Sequence, residues 1–111
     1  MKISLLYLPT YRSERSTSQQ LYREILEEVE FADRNGFDAV WFAEHHFFPY
    51  GGIIPSVPVL AAAAAERTHR IRLGSGVGLI ALNDPIRVAE EFAMLDNLSA
   101  GRLDFGIGRA F

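Results

Sequence analysis

Three ionisable side chains stand together where an apolar run ends, at Glu44, His45 and His46. The preceding residues 37–43 are mostly apolar and predict a buried strand. In parallel α/β proteins the carboxyl ends of the strands carry the chemistry, and a histidine titrates near neutral pH. We therefore predict a proton-transfer site at this strand end. The alternative is a pair of hydrogen-bonded structural histidines.

The order of the Glu-His-His tripeptide limits its geometry. Adjacent side chains of an extended backbone point to opposite faces, so Glu44 and His46 are expected on one side and His45 on the other. One histidine could then enter a pocket while the other packs in its wall. The spacing does not match the His-Glu-x-x-His pattern of zinc-binding helices, so no metal site is predicted. His69 lies among arginines and is expected to be exposed.

Glycines and one arginine mark the ends of two further predicted strands. Residues 74–78 read Gly-Ser-Gly-Val-Gly, which would either let a planar or phosphorylated ligand approach the backbone or relieve crowding in a sheet. They fit a dinucleotide-binding motif poorly, because residues 79–83 separate them from the next helix. Arg109 follows the other strand, where its guanidinium could bind a phosphate or carboxylate or simply lie on the surface.

The composition narrows the class of protein. The 111 residues carry a net charge of −3, which argues against a nucleic-acid partner, and 49% of them are hydrophobic. There is no cysteine, and no run of about 18 apolar residues predicts a membrane span. No signal-peptide pattern follows the first residues, so we expect a cytoplasmic protein without a membrane partner. Because the chain ends directly after a strand pattern, we also expect it to be truncated.

Strands and helices alternate along the chain. Strands are predicted at Ile3–Leu8, Ala39–Phe42, Ile71–Val77 and Leu103–Ile107. Helices are predicted from Ser16–Ser18 to Asn35-Gly36, from Ser56 to Arg67, and from Asp84-Pro85 to Ser99–Gly101. The order βαβαβαβ indicates parallel strands, either half of an eight-stranded barrel or most of an open doubly wound sheet. A salt bridge between Asp96 and Arg102 is expected to brace the last turn.

Four segments in the same order resemble the bacterial luciferase-like family of flavin-dependent monooxygenases and oxidoreductases. They are Gly36–Phe47, Ile71–Val77, Asp84–Glu90 and Leu95–Arg109. Each is weak alone, but together they are specific and span nearly the whole chain. The resemblance implies the N-terminal half, about the first four strands, of a (β/α)8 TIM barrel, with residues 1–111 forming the N-terminal part of one luciferase-like domain.

The resemblance also implies an activity. We expect an FMN-dependent monooxygenase that uses reduced flavin and O2 on a small organic substrate, with a flavin reductase or another NAD(P)H source as its partner. The alternatives are an F420-dependent dehydrogenase of the same superfamily, and a non-catalytic partner subunit or inactive fragment. A homo-oligomer is implied for the full-length protein.

Residue by residue, the match implies roles for the Glu-His-His cluster. His45 is similar to the family's active-site histidine beside the reactive face of the flavin. Its expected role is to transfer a proton or to stabilise a flavin peroxide. Glu44 would orient the site, and His46 would be supporting structure.

The same match implies where the flavin would lie. Ser75, Gly76 and Val77 match the strand end that faces the isoalloxazine ring, where family members often have a non-prolyl cis peptide between the residues matching Gly76 and Val77. Arg109 matches the arginine that helps to hold the flavin phosphate. Ala110 stands where glycine is commoner in the family, so the following loop is expected to differ.

Overall fold

The computed structural model describes residues 1–109, so the expectation for Ala110 lies outside the described residues, as does Phe111. Four parallel strands form the main sheet: β1 (Ser4–Tyr7), β2 (Ala39–Phe42), β3 (Arg72–Ser75) and β5 (Leu103–Asp104). Three helices connect them: α1 (Ser18–Arg34), α2 (Val57–Arg67) and α3 (Pro85–Leu98). Two short parallel strands, β4 (Gly78–Leu79) and β6 (Ile107–Gly108), pair beyond β3 and β5.

The strand order distinguishes the two predicted topologies. Along the sheet the order is β1-β2-β3-β5, so each strand pairs in parallel with the next strand of this sheet in chain order. All three helices contribute to a single buried cluster and therefore cover the same face. A doubly wound sheet would reverse its strand order and carry helices on both faces. The arrangement is that of a segment of a (β/α) barrel, as predicted.

The buried cluster explains why the helices stay on that face. Val29 of α1 and Ala64 of α2 are fully buried against Val40 and Leu73 of the sheet. The alanine run of α2 keeps its side chains small, so this helix lies close to β3 and contacts both α1 and α3. On the opposite face, Leu6 is 62% exposed. The helix-facing side of the sheet is therefore the core, and the other side is the face that a barrel would enclose.

Side-chain caps confirm the predicted starts of α1 and α3. Thr17 caps α1: its hydroxyl accepts the N–H of Gln20 at 3.1 Å, and the Gln20 side chain accepts the N–H of Thr17 at 2.9 Å. Asp84 caps α3 by accepting the N–H of Ile86 at 2.9 Å. Gly36, with φ +85°, follows α1 in the left-handed conformation that favours glycine. Each cap of this kind stabilises a helix by about 0.5–2 kcal/mol.

Two predicted strands are each divided in the structure. The strand predicted at 71–77 ends at Ser75, the peptide bond between Gly76 and Val77 is cis, and pairing resumes in β4. The strand predicted at 103–107 divides into β5 and β6 around Gly106. The Ser75 hydroxyl accepts the N–H of Gly106 at 2.9 Å and donates to its carbonyl at 2.7 Å. A side chain thus satisfies backbone groups at the break.

The predicted salt bridge between Asp96 and Arg102 is wrong. The Arg102 guanidinium instead donates to the backbone carbonyls of Ala65, Ile71 and Ser99 and to the Thr68 hydroxyl. Carbonyls at a helix end have no partner within the helix, and a guanidinium offers enough donors to satisfy several at once. Asp96 accepts the N–H of Gly101 through its backbone carbonyl, and the residue is exposed.

A carboxylate fastens the amino end of the same sheet. Asp33, near the end of α1, accepts the backbone N–H groups of His69, Arg70 and Ile71 at 3.0, 3.0 and 2.6 Å. Partial burial by itself would raise the pKa of Asp33, but these three N–H groups and the charge of Arg70 lower it below its usual value. Asp33 thereby holds the start of β3 against α1. His69 is exposed, as predicted.

Candidate active site

One cavity of about 420 Å³ opens at the carboxyl end of the sheet. Its wall includes five of the predicted site residues, namely Glu44, His45, Gly76, Val77 and Arg109, together with His46. The remaining lining residues are apolar: Leu6, Leu8, Ala43, Leu79 and Leu82. The structure therefore brings the predicted site residues of three strand ends together around one largely apolar space.

Glu44 is the most constrained residue of this wall. Its side chain is only 7% exposed, and both carboxylate oxygens accept hydrogen bonds. Oε2 accepts the N–H of Leu79 at 2.8 Å, while Oε1 accepts the side-chain amide of Asn83 at 3.1 Å and His46 Nε2 at 2.9 Å. Because a buried polar group without partners is costly, this set of donors is what allows a carboxylate here. Glu44 fastens the end of β2 to the segment before α3.

The bond between Glu44 and His46 confirms that these two side chains share one side of the backbone. A carboxylate only accepts hydrogen bonds, so the Nε2 atom of His46 carries the proton in this contact. Within residues 1–109 the Nδ1 atom of His46 has no hydrogen-bond partner in the protein. His46 is thus held by hydrogen bonding while its ring still lines the cavity.

His45 is held in a different way. Its backbone N–H donates to the carbonyl of Ile54 at 3.1 Å, which folds the following loop back onto the strand end. Its ring lines the cavity and lies against Gly51, and no other described residue hydrogen-bonds to the ring nitrogens. The expectation that one histidine enters a pocket while the other packs in its wall is therefore replaced by two lining histidines, one lying against Gly51 and one hydrogen-bonded to a carboxylate.

The glycines of residues 74–78 show both features that the sequence allowed: one relieves crowding in the sheet, and another leaves backbone facing the cavity. A Cβ atom at Gly74 would collide with the ring of Trp41, so this glycine relieves crowding on the barrel-facing side of the sheet. A Cβ atom at Gly76 would meet nothing closer than 3.4 Å, and Gly76 lines the cavity instead. The cis peptide bond expected between Gly76 and Val77 is present. Backbone therefore forms part of the cavity wall at Gly76.

Ser75 and Arg109 occupy contrasting positions. The side chain of Ser75 is fully buried on the helix-facing side and bonds to Gly106, so the structure does not bring it into the cavity. A role for Ser75 toward a cofactor stays a prediction. Arg109 is exposed and lines the cavity, where its guanidinium supplies positive charge.

Two residues that shape the site escaped the sequence analysis. Asn83 stands immediately before the Asp84 cap and reads as part of a helix start, although its amide bonds to Glu44. Gly51 lies in a loop rich in glycine and proline and reads as a simple breaker. Asn83 could have been found by asking which side chains donate hydrogen bonds to a carboxylate buried at Glu44. No sequence signal pointed from Gly51 to His45.

A larger hollow lies beside this cavity. It measures about 560 Å³ and is lined by Tyr11–Glu14 from the loop after β1 and by residues around Phe47–Pro49 from the loop after β2. None of the predicted site residues lines it. We assign the candidate active site to the smaller cavity, because that is where the titratable side chains converge.

Comparison with known proteins identifies the class to which this fold and site belong. A sequence model of the family described as luciferase-like monooxygenase matches residues 1–111. The oxygenase component of a flavin-dependent trigonelline monooxygenase from Acinetobacter baylyi is 39% identical over 109 residues, which is 98% of this chain and 30% of the relative. The chain therefore belongs to the luciferase-like monooxygenase family.

Solved structures agree with this assignment. The monooxygenase RslO1 from Streptomyces bottropensis superposes with a TM-score of 0.97 at 43% identity, over 100% of this chain and 34% of that chain. The oxygenating constituent of 3,6-diketocamphane monooxygenase from Pseudomonas putida, solved in complex with FMN, superposes with a TM-score of 0.91 at 28% identity, over 100% of this chain and 30% of that chain. The chain thus spans about a third of the length of these relatives.

A more distant structure shares the fold alone. The coenzyme F420-dependent tetrahydromethanopterin reductase from Methanopyrus kandleri superposes with a TM-score of 0.69 at 24% identity.

Among the helices of residues 1–109, none is both long and apolar enough to cross a membrane.

Proposed function

We propose that the full-length protein is a flavin-dependent monooxygenase that uses reduced FMN and O2 on a small organic substrate. Residues 1–111 would form the N-terminal part of its luciferase-like domain. The observation that carries this proposal is the single cavity that gathers His45, Glu44, Gly76 and Arg109 at the carboxyl end of parallel strands. Barrel enzymes place their active sites at this end.

The lining of the cavity fits a flavin. Leucine side chains form apolar walls suited to a planar ring, and Gly76 leaves backbone rather than a side chain on one wall. Arg109 offers the planar, always-charged guanidinium that binds phosphate well. A ring with a phosphate-bearing chain therefore matches the distribution of apolar surface and charge. Reduced FMN, when bound, would supply the electrons that activate O2.

The residues of this chain would handle protons and orientation. Reduction of O2 consumes protons, and the His45 imidazole, lining the cavity and not hydrogen-bonded to any other described residue, is suited to carry one. Glu44 and His46 would fix the wall beside it: His46 is hydrogen-bonded to Glu44, and the N–H of Leu79 donates to Glu44, which joins the end of β2 to the segment leading to α3. The leucines of the lining would exclude water from the reacting atoms.

The partners follow from the same proposal. One relative is described as the oxygenase component of its monooxygenase, which supports a separate flavin reductase, or another NAD(P)H source, as the supplier of reduced flavin here. We also propose a homo-oligomeric, cytoplasmic protein without a nucleic-acid or membrane partner.

Binding of two flavins by the full-length protein tests the cofactor. Arg109→Ala should weaken FMN binding by about 1.5–3 kcal/mol, roughly ten- to a hundredfold in Kd, because a charge-assisted phosphate contact is lost. Riboflavin, which has no phosphate, should bind the variant and the wild type equally well. Arg87→Ala, at an exposed arginine of α3, is the matched control and should change neither affinity.

Two results would contradict the proposal. Equal weakening of FMN and riboflavin by Arg109→Ala would show that the guanidinium does not contact the phosphate. Tight binding of F420 by the wild-type protein, with no measurable FMN binding, would assign the protein to the F420-dependent dehydrogenases. Fluorescence titration of each flavin measures all of these affinities.

A further inference from the structure

Gly51 lies against the ring of His45, although the two residues belong to different parts of the loop after β2. A Cβ atom at position 51 would be 3.2 Å from His45 Cγ and 3.3 Å from His45 Cδ2. The same atom would be 2.5 Å from Leu8 Cδ1. Gly51 is buried and has φ +82°, so its backbone fills the space behind the ring where no side chain fits.

Backbone hydrogen bonds hold this glycine in place. The N–H of Gly51 donates to the carbonyl of Pro9 at 2.7 Å, and the N–H of Tyr11 donates to the carbonyl of Pro49 at 2.8 Å. Thr10 and Tyr50 form an antiparallel bridge between these two bonds. Residues 49–51 are therefore tied to residues 9–11 of the loop after β1, and the tied segment runs behind His45.

The contact with Gly51 gives the His45 ring a packing constraint in place of a hydrogen bond. His46 is oriented by a hydrogen bond to Glu44, whereas the His45 ring has no hydrogen-bond partner among residues 1–109. A ring without such a bond keeps its orientation only if packing restricts its rotation. Gly51 is positioned to do this where it contacts the ring, and the same ring lines the cavity.

We propose that Gly51 is a positioning residue for His45: its backbone is the surface on which the imidazole rests, and it keeps the ring directed into the active-site cavity. This inference rests on the proposed function, because it gives the contact a role in catalysis. The packing itself does not depend on that function and can be measured separately.

The experiment compares two glycines that share a backbone conformation. Gly51 and Gly36 both have positive φ, at +82° and +85°, so alanine is strained at either position. A Cβ atom at Gly36 would meet nothing within 4 Å, whereas one at Gly51 would press on His45 and Leu8. In the full-length protein, Gly51→Ala should lower kcat about ten- to a hundredfold with FMN affinity unchanged. Gly36→Ala should leave kcat as in the wild type.

Nuclear magnetic resonance of the histidine rings provides a readout that is independent of activity. Gly51→Ala should shift the imidazole resonances of His45, assigned by their absence in His45→Ala, and leave those of exposed His69 in place. Gly36→Ala should shift neither. If the proposed function fails because His45→Ala is fully active, the resonance shift still decides whether Gly51 positions the ring.

A double variant distinguishes the effect of the new methyl group on His45 from its effect on Leu8. It also relieves the closest contact if Gly51→Ala alone folds poorly. Leu8→Ala removes the nearest atom, so Leu8→Ala/Gly51→Ala should fold and still show the displaced His45 resonances and the low kcat relative to Leu8→Ala. Recovery of kcat to the Leu8→Ala level would overturn the proposal, because Leu8 and not His45 would then carry the effect. Unshifted His45 resonances in Gly51→Ala would overturn it as well.

Discussion

The two ends of the sheet are each fastened by a carboxylate, but the carboxylates bind different kinds of group. At the amino end, Asp33 accepts backbone N–H groups of residues 69–71 alone. At the carboxyl end, Glu44 accepts one backbone N–H, from Leu79, and two side-chain donors, from Asn83 and His46. The first carboxylate joins main-chain segments, whereas the second also holds a side chain that lines the cavity.

This difference indicates how stability and function are separated along the strands. Groups at the amino end, including Asp33 and Arg102, bind carbonyls or N–H groups of helix and strand ends, so their loss should change folding alone. Glu44 is joined to both the fold and the cavity wall, so its loss should change both. The predictions below test this separation in the full-length protein, in order of decreasing effect.

The largest effect is expected at His45. If it transfers a proton, His45→Ala should lower turnover by about 10²–10⁴-fold, the usual contribution of a positioned acid or base, while FMN binds nearly as before. Rapid mixing of reduced FMN and O2 with the variant would measure this loss.

His46→Ala is the matched control for His45→Ala. Because His46 is hydrogen-bonded to Glu44, its removal should lower the melting temperature, while turnover should change much less than in His45→Ala. Normal turnover in His45→Ala together with an inactive, folded His46→Ala would show that the roles are exchanged. Full activity in both variants would show that the histidines are structural.

The next effect compares the two carboxylates directly. Glu44→Ala would leave the part-buried N–H groups of Leu79 and His46 without their acceptor, whereas the Asn83 amide would keep the Leu79 carbonyl. Each donor left unsatisfied costs about 1–3 kcal/mol when it is buried. Asp33→Ala removes three hydrogen bonds at a less buried position and should cost less. Chemical unfolding gives both free energies of unfolding.

Turnover of the folded fraction then distinguishes the two ends. Below its melting temperature, Asp33→Ala should turn over like the wild type, whereas Glu44→Ala should be slower because the Leu79 segment of the cavity wall loses its anchor. Equal turnover in the two variants would contradict the separation of the two ends.

The sequence predicted those parts of the fold that depend on interactions between residues close together in the chain. Apolar periodicity located all three helices, and the Thr17 and Asp84 caps set two of their starts. The prediction failed where contacts between distant parts of the chain determine the partner of a side chain. Arg102 was within reach of Asp96 by spacing, but the structure places it against the carbonyls of Ala65, Ile71 and Ser99, near the ends of α2 and α3 and the start of β3. No local pattern could show that choice.

The site was predictable to a similar degree. The alternation of side chains placed Glu44 and His46 on one side, and their hydrogen bond confirms it. The same alternation puts Ser75 on the side of buried Leu73, toward the helices, but the expected role of Ser75 was taken from the resemblance and not from alternation. The contact between Gly51 and His45 arises from a loop that folds back, and only the assembled structure contains it.

The smallest effect is a pH dependence at the amino end. The backbone N–H groups of His69, Arg70 and Ile71 lower the pKa of Asp33 below its value in the unfolded chain, against the opposing effect of partial burial. A lowered pKa in the folded state stabilises the fold above the unfolded pKa, which is about 3.9, and this stabilisation is lost as the pH falls through the folded value. Asp33→Asn removes the titrating group but keeps its shape.

The free energy of unfolding should therefore differ most between wild type and Asp33→Asn at neutral pH, and the difference should shrink as the pH falls below about 4. Asp96→Asn, at an exposed residue of α3, is the control and should follow the wild type throughout. Urea unfolding at several pH values measures all three proteins. A constant difference between wild type and Asp33→Asn across this range would show that the Asp33 charge does not stabilise the amino end. The loss of one acceptor oxygen in Asp33→Asn, and not the loss of charge, would then account for the difference.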